Sequence, residues 1–477
     1  MRFLLLTLLM LSVAYCLPAH AVPQAPSTKP DALDQYIRED IKARKIPAIV
    51  FGVFKDGKIL RSGAYGYANV ELHAPATTDT VFEIGSVSKQ FTATILLKLM
   101  EEGKLNLDDP ISKFVDSLPE TWHKVTLRNL LNHTSGIPDI EEIFGYESYR
   151  NIYTVEEIIK VANSKPVDFA PGTKWHYSNT GYYLLGLVIQ KLEGKTYSQS
   201  LQDRICKPLG MTHTRESDPW ALIPNRAAGY MLTDKGELAN RDPMQPSACL
   251  GAGTIVSTIG DMAKWDAAIN HHRILSKKSQ DMMWLPTKLS DGNTAQYGFG
   301  WFTEPYCGHP SVEHSGGTAG FSCDYRRFLD SGISVMVFSN LYATGVGSYE
   351  IRAADLFQPG LSYLSAPVLQ ERDSEVRARL LAGMKDVASG ATSSPYVSPK
   401  MMERYSEESR AGWKTRLKEM VRFELVAHEK YTPRNVDNGE TVSETYIYRL
   451  TMQKATLIIT FQLTPDGKVG TQTRSDY

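Results

Sequence analysis

The stretch Val81–Met100, VFEIGSVSKQFTATILLKLM, decides how the rest of the chain is read. It is mostly apolar and carries a serine and a lysine three positions apart, Ser86 and Lys89. In a helix that starts near Gly85, positions three apart share a face, so the lysine amine lies beside the serine hydroxyl. That is an activated nucleophile in outline. A free lysine titrates near about 10.4, so a base working near neutrality must lose about 4 kcal/mol of its preference for the proton. Burial supplies such a loss, and Val87, Phe91, Ile95, Leu96 and Leu99 are the apolar neighbours of a buried helix. The helix N-terminus also turns free N–H groups toward a developing oxyanion. Alone, a Ser-x-x-Lys pair arises often by chance and usually means a solvated helix face, so partners elsewhere in the chain must decide.

The chain has 477 residues, more than one ordinary core accommodates, which points to two domains, one of them large. Lys plus Arg number 52 against 53 for Asp plus Glu, so no overall field draws nucleic acid or an anionic membrane. The expected partner is a small-molecule or peptide substrate, with cell-wall fragments among the options. The opening residues MRFLLLTLLMLSVAYCLPAHA combine Arg2, an apolar run Phe3–Leu17 and a small-x-small end at Ala19-His20-Ala21. This pattern predicts a secretory signal over 1–21, cleaved to leave a secreted or periplasmic protein without a membrane span, followed by a linker over 22–30. Cleavage removes Cys16 and leaves Cys206, Cys249, Cys307 and Cys323. Cys307 and Cys323 flank one apparent hairpin, where a bridge and a pair of buried free thiols are both open.

Spacing predicts a helix over Asp31–Lys45, then strands Ala48–Phe54 and Ile59–Val70 joined by an Asp56-Gly57 turn. Helices and loops dominate from Gly103 to Pro286. Strand patterns return at Tyr297–Phe302, Ser311–His314, Gly320–Leu329 and Ile333–Asn340. The expected fold class is α/β (α+β): a sheet drawn from both ends of a domain over 31–360, with a helical insertion between. A connecting region over 361–399 holds a helix, Gln370–Val387, and leads to a small α+β module over 400–477. There a helix is expected over Met401–Met420 and strands over Phe423–Val426, Glu444–Met452 and Thr456–Leu463.

Two motifs offer partners for the serine. Trp175-His176-Tyr177-Ser178-Asn179 precedes the helical pattern Tyr183–Leu192. Tyr177 beside a neutral lysine can relay the serine proton to a leaving group, and the Asn179 amide can hold a substrate carbonyl. Glu313-His314-Ser315-Gly316-Gly317 lies where one strand pattern ends and another begins. Its glycines permit a close backbone approach, so the Gly317 N–H can join that of Ser86 in an oxyanion hole, while His314 binds a substrate carboxylate or tunes the lysine. A rival copy, His133-Thr134-Ser135-Gly136, follows the helical Leu127–Asn132, and its Gly136 fits a helix end, which assigns it to the fold.

Ser86–Lys89, Tyr177–Asn179 and His314–Gly316, in that order and spacing, resemble the beta-lactamase and penicillin-binding serine hydrolase superfamily. More narrowly they look like its class C beta-lactamase, DD-peptidase and family VIII esterase branch. GKLNLDDPISKF, TLRNLLNHTSGIPD, FAPGTKWHYSNTGYYLLG, KPLGMTHT, GAGTIVSTIGDMAKW and YGFGW support the resemblance, which spans Asp31–Asn340 and leaves out the C-terminal module. It implies an antiparallel sheet flanked by helices, an all-helical subdomain, no metal and no cofactor. It also implies attack by Ser86 on an acyl carbonyl, proton transfers by Lys89 and Tyr177, substrate positioning by Asn179, and oxyanion N–H groups at Ser86 and Gly317. Where class C beta-lactamases carry Lys-Thr-Gly, this chain has His-Ser-Gly, the pattern of certain DD-peptidases, D-aminopeptidases and esterases. A largely neutral histidine binds carboxylate more weakly than a lysine, which argues against efficient beta-lactam turnover.

Other chemistries fit poorly. Gly320-Phe321-Ser322-Cys323-Asp324 ends in aspartate where a nucleophile elbow needs glycine, Gly194-Lys195-Thr196 lacks the earlier glycine of a phosphate loop, and His271-His272 is no His-Glu-x-x-His. The expected activity is hydrolysis of small esters or D-amino-acid peptides. A beta-lactamase and a weakly catalytic cell-wall binding protein are the alternatives.

Overall fold

A computed structural model of the chain describes residues 31–476 apart from 242–243, 372–373, 436–438 and 454. The signal and linker expected over 1–30 lie outside the described residues. Helix α1, Ala32–Ala43, begins at a capping box: the Asp31 carboxylate accepts from the Leu33 and Asp34 N–H groups, and the Asp34 side chain accepts from the Asp31 N–H. Strands β1, Ala48–Lys55, and β2, Lys58–Asn69, then form the expected hairpin through Asp56 and Gly57, both at positive φ.

Between β2 and the next long strand lie the helices α2, Ser88–Glu101; α3, Leu127–Leu131; α4, Ile140–Phe144; α5, Asn179–Glu193; and α6, Ile259–Asn270. The chain returns as β3, Ser311–Thr318; β4, Phe321–Phe328; and β5, Ile333–Ser339, followed by α7, Gly347–Asp355. One antiparallel sheet results, in the order β3-β4-β5-β1-β2 with Ala74–Pro75 at its edge, so distant stretches of the chain meet at β5 and β1. Both of those strands are covered on two faces. Val50 and Phe54 of β1 pack in the cluster that holds Phe91 of α2 and Ile259 of α6. Ile49, Phe51 and Val53 alternate with them and pack against Leu33 and Ile37 of α1 and Tyr349 and Ile351 of α7.

The C-terminal part has helices α8, Ser374–Ser389; α9, Pro399–Arg404; and α10, Glu407–Glu419. They lie with a four-stranded meander, β6, Met420–Asn435; β7, Thr441–Met452; β8, Thr456–Leu463; and β9, Val469–Asp476. A separate apolar cluster, including Met384, Trp413, Tyr448, Ile459 and Phe461, joins these elements.

The structure differs from the sequence expectations in several places. The helix expected over Met401–Met420 breaks at Tyr405, and Ser406 caps its second half by accepting from the Ser409 N–H. Tyr297–Phe302 is a loop closed by one bridge, because Gly300, at φ +77°, packs onto the Lys89 backbone. His-Ser-Gly-Gly lies inside β3, with the bend coming at Ala319-Gly320. Gly136 does not end α3. The left-handed residue after that helix is His133, at φ +61°, while Gly136 admits the Phe169 carbonyl, which a Cβ would meet at 2.0 Å. Cys206, Cys249, Cys307 and Cys323 are all free thiols, and the Cys323 thiol donates to the Ile84 carbonyl at 3.1 Å. Among the described residues no helix is long and apolar enough to cross a membrane.

The fold places β3 directly against the turn that carries Ser86. A Cβ on Gly85 would sit 2.7 Å from the Gly317 nitrogen, and one on Gly316 would sit 2.2 Å from the Ile84 oxygen and 2.6 Å from the Cys323 sulfur. A Cβ on Gly317 would meet nothing within 4 Å. Two neighbouring substitutions therefore have opposite consequences. Gly316→Ala is expected to cost about 1–3 kcal/mol by overpacking, or more if β3 is forced off the turn, and Gly317→Ala to leave stability unchanged, both measured by urea denaturation. Equal midpoints for the two variants would contradict this packing.

Candidate active site

Ser86 stands in a tight 3-10 turn, Gly85–Val87, rather than in the first turn of an α-helix, and α2 proper begins at Ser88. The left-handed Gly85, at φ +47°, turns the chain so that Ser86 is partly exposed while Lys89, one turn further on, is fully buried. The Lys89 amine lies 3.0 Å from Ser86 Oγ and donates to Asn179 Oδ1 and to the Ala252 carbonyl, each at 2.8 Å. The Tyr177 hydroxyl donates to Ser86 Oγ at 2.8 Å. Five residues from three distant stretches thus meet around one oxygen and one nitrogen.

Burial lowers the Lys89 pKa to about 8, against the opposing influence of Cys249, Asp139 and Glu141. Burial also pushes the Tyr177 phenol well above its ordinary value, so at neutral pH it keeps its proton. The Lys89 amine lies 4.8 Å from the Tyr177 ring centre and 5.5 Å from that of Tyr182.

Asn179 is the first residue of α5, which Ser178 caps by accepting from the Gly181 N–H. Its orientation is fixed from α4. The Asp139 carboxylate accepts from the Asn179 N–H, and Glu141 accepts from Asn179 Nδ2 at 3.0 Å and from the Tyr149 hydroxyl at 3.0 Å. With Nδ2 held by a carboxylate, Oδ1 faces the lysine. Burial raises Asp139 to about 6.

His314 of β3 is buried, and both ring nitrogens are engaged: Nδ1 donates to the Ser315 carbonyl at 2.6 Å, and Nε2 accepts from the Tyr297 hydroxyl at 3.0 Å. Burial, aided by the nearby Lys89, pushes its pKa down to about 3, so the ring is neutral. It lies beside Tyr177, with ring centres 6.0 Å apart, and makes no hydrogen bond to Ser86. Gly316 and Gly317 reach the site through the backbone contacts of β3 with the Gly85 turn.

All seven residues singled out in the sequence thus gather at one place. The sequence reasoning missed Asp139 and Glu141, the Ala252 carbonyl, Tyr297 and His133. Asp139, Ala252 and Tyr297 fall inside stretches that support the resemblance, TLRNLLNHTSGIPD, GAGTIVSTIGDMAKW and YGFGW, and His133 carried a further signal, as the rival His-Thr-Ser-Gly copy. Its ring packs on that of Tyr177 at 4.3 Å between centres. Among the described residues, no group of three or more His, Cys, Asp or Glu side chains is arranged to hold a metal ion.

Known proteins share this arrangement of the chain. Penicillin-binding protein 4* of Bacillus subtilis is 33% identical over 303 residues, which cover 60% of this chain and 66% of that protein. A D-amino acid amidase from Ochrobactrum anthropi SV3 superposes with a TM-score of 0.57 at 30% identity, over 68% of this chain and 96% of the amidase. The octameric penicillin-binding protein homologue from Pyrococcus abyssi, at 24% identity, shares the fold across 91% of this chain and 96% of its own, with a TM-score of 0.60. The beta-lactamase family profile matches residues 33–357, from the second residue of α1 to just past α7 with Ser86 and Lys89 inside it, and the chain belongs to that family.

Proposed function

We propose that the protein is an exported serine hydrolase that cleaves ester or amide bonds through an acyl-enzyme on Ser86. The convergence of Lys89 and Tyr177 on Ser86 Oγ carries this reading. A neutral amine has two N–H donors and one lone pair. The carbonyl oxygens of Asn179 and Ala252 take the two donors, so the lone pair is left for the serine proton. Ser86 Oγ then attacks the acyl carbonyl, whose oxygen takes on charge against the backbone N–H groups of Ser86 and Gly317. The Tyr177 phenol returns a proton to the leaving amine or alcohol. Water then attacks the acyl carbon, giving its proton to the Tyr177 phenolate, and the proton held on Lys89 returns to Ser86 Oγ as the acid leaves.

The electrostatics favour a substrate with a free amine over one with a carboxylate. Asp139 and Glu141 both bond Asn179 at the cleft, whereas His314, where class C beta-lactamases carry lysine, is neutral and internally bonded. D-amino-acid amides and short D-peptides are thus the preferred substrates, in keeping with the amidase similarity. Small esters share the same acyl chemistry. Beta-lactam hydrolysis is the second reading, supported by the family itself. Export rests on the leader pattern at the start of the chain.

Assaying the mature protein and Ser86→Ala on D-phenylalanine amide, its N-acetyl derivative, a chromogenic acetate ester and a cephalosporin tests the reading. Turnover of the free-amine amide and the ester is expected, with loss on N-acetylation and in Ser86→Ala. Equal rates for the two proteins would refute the nucleophile, and turnover of the cephalosporin alone would favour the lactamase reading. The pH profile offers a second check. Because only the unprotonated amine accepts the serine proton, kcat/KM should climb with pH through a midpoint near 8. Lys89→Arg, which cannot deprotonate, should lose about 10²–10⁴-fold.

A further inference from the structure

His133 is the most unusual residue around the site that the proposed chemistry leaves unused. It ends α3 in the left-handed conformation, φ +61°, where glycine or asparagine is the favoured choice. It is 1% exposed, and its Nε2 is buried without a hydrogen-bond partner. Both features cost stability, so the side chain is expected to serve something other than packing.

Two of its hydrogen bonds address one neighbour. The His133 carbonyl accepts from the His176 N–H at 2.9 Å, and His133 Nδ1 accepts from the Ser178 N–H at 3.1 Å. These are the two amides that flank Tyr177, so one residue grips the backbone immediately before and immediately after the phenol. The two loops run on side by side beyond this grip, with the Gly172 N–H donating to Thr134 O and the Asp168 N–H to Gly136 O, each at 2.8 Å. The imidazole also lies on the Tyr177 ring and against Tyr297, with centres 4.3 and 4.7 Å apart. Tyr297 in turn donates to His314, so the ring sits between the two tyrosines of the site.

We infer that His133 is a positioning residue: its bare Nδ1, as acceptor for the Ser178 amide, fixes the backbone that aims the Tyr177 hydroxyl at Ser86 Oγ. The role needs an imidazole with Nδ1 unprotonated. Burial, with Lys89 and His314 close by, holds its pKa well below the ordinary value and keeps the ring neutral, and the Ser178 N–H donating to Nδ1 selects the tautomer with that nitrogen bare. The inference rests on the reading of Ser86 and Tyr177 given above. Asparagine suits the role, since it tolerates the left-handed backbone and places Oδ1 where the imidazole places Nδ1. Phenylalanine keeps the aromatic contact and lacks the acceptor.

Comparing His133→Asn, His133→Phe and Ser86→Ala on the chromogenic ester, with Tm measured for each, separates the possibilities. The Asn variant should stay within about threefold of wild type, and the Phe variant should lose about 10–100-fold in kcat with KM nearly unchanged, as expected for a misplaced catalytic group. Wild-type kcat in the Phe variant, or losses in both variants that merely follow the folded fraction, would overturn the inference. Undiminished activity of Ser86→Ala would instead refute the nucleophile. The ¹⁵N spectrum of the wild-type histidines gives a check that needs neither folding of a variant nor activity. An unprotonated Nδ1 on His133 is expected, and a proton there would overturn the inference.

Discussion

The site depends on an amine buried among two carbonyl oxygens and a hydroxyl. Lys89 is fully buried on α2, and its amine contacts Asn179 Oδ1, Ala252 O and Ser86 Oγ. Burial disfavours the protonated form, so its folded pKa lies below that of the unfolded chain. The folded state then carries a penalty wherever the amine is protonated. That penalty is present in full below pH 8 and is relieved as the pH rises from about 8 toward the ordinary lysine value. The rest of the fold must offset this cost. It does so with an α2 whose other faces, through Phe91, Ile95, Leu96 and Leu99, are buried in the larger apolar cluster.

Much of this was legible in the sequence because it is local. The Asp56-Gly57 turn, the strand patterns of β4 and β5 and the apolar faces of α2 and α5 follow from spacing alone. The grouping of Ser86, Lys89, Tyr177, Asn179 and His314 was reached through motif order, since nothing local requires Tyr177 to approach Ser86 across ninety-odd positions. The distances between them come from tertiary packing: β3 pressed on the Gly85 turn, and α4 bonded to the start of α5.

What escaped the sequence is mostly backbone or context. No pattern marks the Ala252 carbonyl as a lysine acceptor, because every residue has a carbonyl and only a buried turn singles this one out. Asp139 and Glu141 read as ordinary charges at a helix start, and Asp139 does cap α4. Their second task, holding Asn179, exists only once α4 meets α5. Tyr297–Phe302 reads as a strand by composition, and its loop form follows from Gly300 lying on the Lys89 backbone, a contact between distant segments. Gly136 looked like a helix end because glycine usually is one, yet His133 takes that place.

The two histidines complete the physical picture of the amine. His133 and His314 both lie near Lys89, and both are held neutral by burial. A neutral imidazole offers hydrogen bonds without adding a cation, so each can fix a tyrosine or a strand without supplying the fixed charge that a lysine or arginine would. The nearby carboxylates act the other way. Asp139 and Glu141 favour the protonated amine, and burial outweighs them. These carboxylates are engaged with the Asn179 backbone and amide rather than with the lysine. The same side chains that oppose deprotonation of Lys89 thus hold its carbonyl acceptor in place. A site built in this way lowers the pKa of its amine by burial while keeping two carboxylates close by.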